Sequence, residues 1–160
     1  MRDLTHDEVR RLIIPLPDEP SIDQVLSPGE IESRFGLGGN RRSDGMGHYS
    51  SCHWIVVEKK PVGHIRTALQ QLEITANAAR INGLDVRYLL IITSGKWGKQ
   101  GQRYENRKAE NTSPTGHILI NKSIRKGGPV KVSGIDVWLI KESDLDAYLK
   151  KHSGRLENFR

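Results

Sequence analysis

The chain is poor in cysteine, in long apolar runs and in recognisable nucleotide-binding loops, and each shortage narrows what it can be. One cysteine, Cys52, stands among 160 residues. It cannot form an internal disulfide, so it points to a reducing compartment or to simple burial. No window holds the ~18 consecutive apolar residues needed to cross a bilayer. The N-terminal MRDLTHDEVRR runs into IIPLP rather than into the apolar core of a secretory signal, so a cytoplasmic protein is expected. The glycine clusters GLGG at 36–39 and GKWGKQG at 95–101 fit neither G-x-x-x-x-G-K-[ST] nor G-x-G-x-x-G before a helix. Nucleotide binding is not expected, and neither internal repeats nor low-complexity tracts are present.

What remains is an ordinary soluble composition, 36% hydrophobic and 28% charged, in a length that suits one compact domain. A chain of this size buries roughly 70% of its unfolded surface and needs no staple to build a core. The net charge of +6 is unevenly spread. Residues 1–94 carry 11 basic and 12 acidic side chains, and residues 132–160 carry five of each. Residues 95–131 hold nine basic side chains against Glu105 and Glu110, a surplus of +7. Within this stretch Lys96, Trp97, Lys99, Arg103, Arg107, Lys108, Arg125 and Lys126 are the candidate nucleic-acid contacts. Cations displace counterions from phosphates, and a flat ring such as Trp97 or Tyr104 can stack on a base. The same stretch also reads as a solvated surface loop.

The order of elements is legible along the chain. A short helix near the N-terminus is followed by an extended arm through Pro15, Pro17 and Pro20, together spanning 1–26. Ser27-Pro28-Gly29-Glu30 is a helix start, with Ser27 as N-cap and Glu30 three residues beyond it. The helix should place Ile31 and Phe35 on one face and stop at Gly36–Gly39. Residues 40–50 read as a loop leading into a weak strand, and 52–58 as a buried strand. Ile65, Ala68, Leu69, Leu72, Ala76 and Ala79 then recur at helical spacing, with Gly83 as the stop. Residues 86–93 form an apolar run expected of a strand covered on both faces, so a right-handed βαβ crossover follows. After the basic loop at 95–116, HILIN and VKVSGIDVWLIK suggest two more strands, and Ser143 caps a last helix with Asp144 and Asp146 in its first turn. The expected class is α/β, a central mixed β-sheet flanked by helices.

The most informative residues are Val56-Val57-Glu58-Lys59-Lys60, where a charged triplet interrupts an apolar strand. Alternation puts Glu58 and Lys60 on one side, about 7 Å apart. A carboxylate there can hold a divalent cation, while a nearby ammonium orients water and stabilises charge developing on phosphorus. A hard-metal site needs a second acid. Asp44 lies 14 residues upstream, in a glycine-rich turn that can return beside the strand as a hairpin partner.

This arrangement resembles the PD-(D/E)XK nuclease superfamily, whose core is a helix, a hairpin carrying an Asp, a strand ending in hydrophobic-hydrophobic-(D/E)-x-K, a helix and a further strand. The match runs from Ser27 to about Thr93, about 40% of the chain. Ser43 stands where the family has proline, and the segment after Asp44 lacks the usual hydrophobic residues. The resemblance implies a restriction-endonuclease-like core and a Mg²⁺- or Mn²⁺-dependent endonuclease acting on DNA. By it, Asp44, Glu58 and the carbonyl of Lys59 bind the metal, and Lys60 positions or activates the attacking water. The Holliday-junction-resolvase branch adds an acid on the first helix, matched by Glu32 or Glu30, and many members carry a polar residue on the following helix, matched by Gln70 or Gln71. Small members often pair, so a homodimer is implied, and Leu12, Ile13 and Ile14 can supply apolar contacts to a second copy or pack on their own core.

Other signals are weaker. His48, Cys52 and His53 lie within six residues, with His64 nearby, but Cys52 and His53 face opposite sides of a strand and cannot easily share a zinc ion. Ser94 after a strand is read as a turn residue rather than a nucleophile. Trp54 and Trp138 are expected in the core and Trp97 partly exposed, while the strand bearing Trp138 belongs at an edge or in a mixed environment. Two functions therefore stand: a metal-dependent nuclease, and a nucleic-acid-binding protein without catalysis in which Glu58 and Lys60 form a surface pair worth little. A more distant third is an adaptor whose basic loop meets an acidic partner.

Overall fold

The computed structural model describes residues 4–13, 22–38, 41–61, 64–94, 118–120 and 131–151. Its elements are α1 (His6–Arg10), β1 (Ile22–Leu26), α2 (Pro28–Phe35), β2 (Gly45–Tyr49), β3 (His53–Pro61), α3 (Ile65–Ile81), β4 (Asp85–Ser94), β5 (Ile118–Ile120), β6 (Lys131–Val132), β7 (Ile135–Lys141) and α4 (Glu142–Lys151). Six strands line up in the order β1-β2-β3-β4-β7-β5, and β6 pairs with β7. The first three form an antiparallel meander, β3, β4 and β7 run parallel, and β5 returns antiparallel on β7. The class is α/β with a mixed sheet, as the alternation of apolar strands and an amphipathic helix predicts. Among the described residues no helix is long and apolar enough to cross a membrane.

Period-two alternation divides each strand between two cores. On one face Trp54 and Val56 of β3 and Leu89 and Ile91 of β4 pack under α2 and α3. The apolar stripe of α3, from Ile65 to Ala79, lies on this side. On the other face Ile55, Val57, Leu90 and Ile92 meet Val9 and Ile13 from α1 and its end, and Leu145 from α4. The central strands are apolar on both sides because both sides are covered.

Local chemistry fixes the ends of α2. Ser27 accepts from the amide of Glu30 while the Glu30 carboxylate accepts from the amide of Ser27, a reciprocal capping box. Gly36 ends the helix at φ 67°, a left-handed turn that costs glycine little.

Several expectations need correction. Residues 22–26 are a strand paired with β2 rather than part of an extended arm. The segment at 45–49 is an integral, mostly buried strand, not a weak one. Cys52 is exposed, in the turn before β3 at φ 75°, so neither burial nor a strand position accounts for it. Strand β3 continues to Pro61, because Glu58, Lys59 and Lys60 pair with Ile91, Ile92 and Thr93 of β4. Trp138 is only partly buried, and β7 lies between β4 and β5 rather than at an edge, its residues alternating in burial as the mixed environment implies. Helix α4 begins at Glu142, directly after β7, so Ser143 is inside it. Leu12 and Ile13 are buried in the core beneath α1 and are not available to a second copy, while Ile14 falls outside the described residues.

A candidate acidic site at the β2–β3 hairpin

Asp44 immediately precedes β2, and the antiparallel register that pairs Gly45 with Val57 brings it beside Glu58. Two hydrogen bonds fix the junction. The Asp44 amide donates to the carbonyl of Val57 at 3.1 Å, and the Lys59 amide donates to Oδ2 of Asp44 at 2.8 Å. One residue upstream, the amide of Ser43 donates to Oγ1 of Thr75 at 2.8 Å and ties the hairpin to α3. Two acids distant in sequence are thereby held on one strand pair.

Glu58 is the unusual member. It shares the α3 face of β3 with Trp54 and Val56, and only 1% of its surface is exposed. Among the described residues no donor reaches either of its carboxylate oxygens. Its neighbour is the Asp44 carboxylate, which accepts but does not donate; Glu58 is thus without a partner as a carboxylate and gains Asp44 as one only when a proton sits between the two acids. Burial first, and then Asp44 as hydrogen-bond partner and like charge, push the Glu58 pKa up to about 10, against the smaller opposing pull of Lys60 and Arg42. Glu58 is no surface strand ending. Alternation places Lys60 on this same face and Lys59 on the other, where its Nζ reaches Oε1 of Glu142 in α4 at 2.7 Å.

The remaining candidates separate. Glu30 is occupied in the capping box of α2. Glu32 accepts from Nε of Arg42 at 3.0 Å, and Nη1 of that arginine lies 3.9 Å from Oδ1 of Asp44. Sequence reasoning did not single out Arg42, since an arginine in a polar loop ordinarily reads as solvated; yet it is only 8% exposed. Of the two glutamines, Gln70 is exposed and Gln71 is buried, with its Oε1 unpartnered. The hydroxyl of Ser43 is likewise buried without a partner, so three residues of this layer, Ser43, Glu58 and Gln71, carry unsatisfied polar atoms. Such orphans are rare in a settled core.

No three His, Cys, Asp or Glu side chains among the described residues converge tightly enough to form a ligand set by themselves. Asp44 and Glu58 are a pair, and Glu32 stands behind Arg42. The histidines are dispersed: His48 bonds Asp23 and packs against Trp54 at 4.7 Å, and His53 lies 3.8 Å from Asp85. Lys96, Trp97, Lys99, Arg103, Arg107, Lys108, Arg125 and Lys126 lie outside the described residues. The chain matches no family model, no curated protein and no solved structure with which it was compared.

Proposed function

We propose that the chain is a metal-dependent nuclease that hydrolyses phosphodiester bonds in DNA, built on a restriction-endonuclease-like core from α2 to β4. The observation that carries this reading is the carboxylate of Glu58, buried without a donor and set against Asp44. Holding such a pair together costs stability unless a proton or a cation joins it, and strongly perturbed acids cluster at functional sites. The order of elements supports the same reading. A capped helix, a strand opening on an acid, a strand bearing Glu-x-Lys, a helix and a parallel strand follow one another as in the PD-(D/E)XK superfamily.

The orphaned oxygens of Glu58 fit a hard divalent ion, because such ions take oxygen donors. Asp44, Glu58 and the carbonyl of Lys59 are the residues that would hold Mg²⁺ or Mn²⁺. Bound there, the ion supplies charge neutralisation at the phosphate and a more acidic water. Lys60, on the Glu58 face, holds the attacking water in place and offsets negative charge as it develops. Gln71 supplies a hydrogen-bonding group in the same layer. The +7 surplus of residues 95–131 supports a polyanionic partner, DNA in this reading, and a homodimer in the cytoplasm accords with the resemblance.

The test is cleavage of labelled duplex, single-stranded and branched DNA, and of RNA, with Mg²⁺, Mn²⁺ or EDTA. Metal-dependent cutting lost in Glu58→Ala and Lys60→Ala, with binding retained, is the expected result. Salt-sensitive binding without cutting under any metal favours the second reading, a nucleic-acid-binding protein that uses the basic segment alone.

A further inference from the structure

Arg42 is a buried guanidinium in the middle of three acids. It is 8% exposed, its Nε is 3.0 Å from Glu32, its Nη1 is 3.9 Å from Asp44, and its charge acts on Glu58. A charged side chain is seldom kept this far from water unless it is paired. The 3.9 Å to Asp44 is beyond hydrogen-bond length, so Arg42 is bonded to Glu32 and acts on Asp44 through its field. The carboxylate of Asp44 stays oriented by the Lys59 amide instead.

We propose that Arg42, anchored by Glu32, is the resident counter-cation of the acidic site, a positioning residue that holds Asp44 and Glu58 together before a divalent ion binds. The inference rests on the metal-site reading above and deepens it by giving Glu32 a different part, as the anchor of a cation rather than as a ligand. The buried Glu58 carboxylate without a donor, on which the metal-site reading itself rests, is the sign that a further cation belongs beside these acids. A fixed +1 charge near them favours negative charge on the pair and lessens the repulsion that arises whenever Glu58 gives up its proton without metal. It also repels an arriving divalent ion, because like charges in a poorly screened site oppose each other. Removing the charge should therefore weaken the metal-free protein and strengthen its hold on metal.

The experiment compares the full chain as wild type, Arg42→Met and Arg42→Lys, by thermal melting in EDTA, Mg²⁺ or Ca²⁺ and by calorimetric titration with Mn²⁺, without nucleic acid. Arg42→Met should melt several degrees lower in EDTA, recover more on adding divalent ion than wild type gains, and bind Mn²⁺ at least about three-fold more tightly. Arg42→Lys keeps the charge and should follow wild type in its response to metal. An equal loss of melting temperature with and without metal, or failure of Arg42→Met to fold even when prepared in Mg²⁺, makes Arg42 a purely structural residue and overturns the inference alone. Wild type that neither gains stability from a divalent ion nor binds Mn²⁺ removes the metal site itself, and the inference with it.

Discussion

The amide of Lys59 donates to Oδ2 of Asp44 at 2.8 Å, so the strand that carries Glu58 and Lys60 also sets the orientation of the other acid. The bond returning from the Asp44 amide to Val57 closes the link in both directions. Residues 14 apart in sequence become one rigid unit through main-chain geometry, which tolerates less drift than a contact between two long side chains.

Asp44→Asn retains an acceptor for the Lys59 amide but loses the charge. It should fold within about 1 kcal/mol of wild type, whereas Asp44→Ala, which leaves that amide without its partner, should cost ~1–2 kcal/mol. Both should lose metal-dependent cleavage. Urea denaturation beside a cleavage assay separates the two effects, and an asparagine variant that cuts DNA at the wild-type rate excludes Asp44 from the chemistry.

Glu58 makes stability depend on pH in a definite direction. Its ordinary value is 4.5 and burial raises it to about 10 in the folded chain. Between these values the folded protein holds a proton that the unfolded chain has released, so this group's contribution is full below 4.5 and is lost progressively as pH rises toward 10. Glu58→Gln carries no charge to desolvate and should be more stable than wild type at pH 8 by ~1–3 kcal/mol, with little difference at pH 4. Mg²⁺ should narrow the gap at pH 8 by stabilising wild type alone. A gap between variant and wild type that does not change with pH contradicts the assignment.

Glycine and polar content misled the sequence reading at one strand and guided it well elsewhere. SDGMGHY resembles a loop because it lacks alternating large apolar residues. In the fold, Gly45 and Gly47 are the seat of α1 and of the residues after it: a Cβ on Gly45 would run into Val9, and one on Gly47 would lie 2.7 Å from Ile13. The hydrophobic half of that strand face is supplied by another element, which no local window can reveal. By contrast α2, with Ser27 and Glu30 at capping spacing, and α3, with a full apolar stripe, carry their whole signal locally and were legible. Glu58 and Lys60 were legible as a motif, but the burial of Glu58 was not, since it follows from α3 and Thr75 closing over the hairpin. Arg42 was missed because its hydrogen-bond partner, Glu32, lies on a different element, α2.

Thr75 connects the helix to the site through its hydroxyl. Thr75→Val keeps the shape and burial of the side chain but leaves the Ser43 amide without its acceptor. A buried amide so orphaned costs ~1–3 kcal/mol. Thr75→Ser restores the hydroxyl and should recover most of that loss. Because Ser43 is next to Asp44, the valine variant should also show faster amide exchange at residues 43–45. Protection there equal to wild type would detach Thr75 from the positioning of Asp44.

The glycine seat of α1 yields a test in which two harmful changes partly cancel. Gly47→Ala places a methyl 2.7 Å from Cγ2 of Ile13, a side chain with no measurable exposure. Overpacking of this kind costs ~1–3 kcal/mol. Ile13→Ala opens a cavity on the same spot and should cost ~2–5 kcal/mol. In the double variant the added methyl enters space that the isoleucine has left, so the combined loss should fall short of the sum by ~1 kcal/mol or more. Denaturation of the two single variants and the double variant closes the cycle. Strict additivity would mean that the segment after α1 can shift off β2 without resistance, and that Gly47 is not what allows Ile13 to lie there.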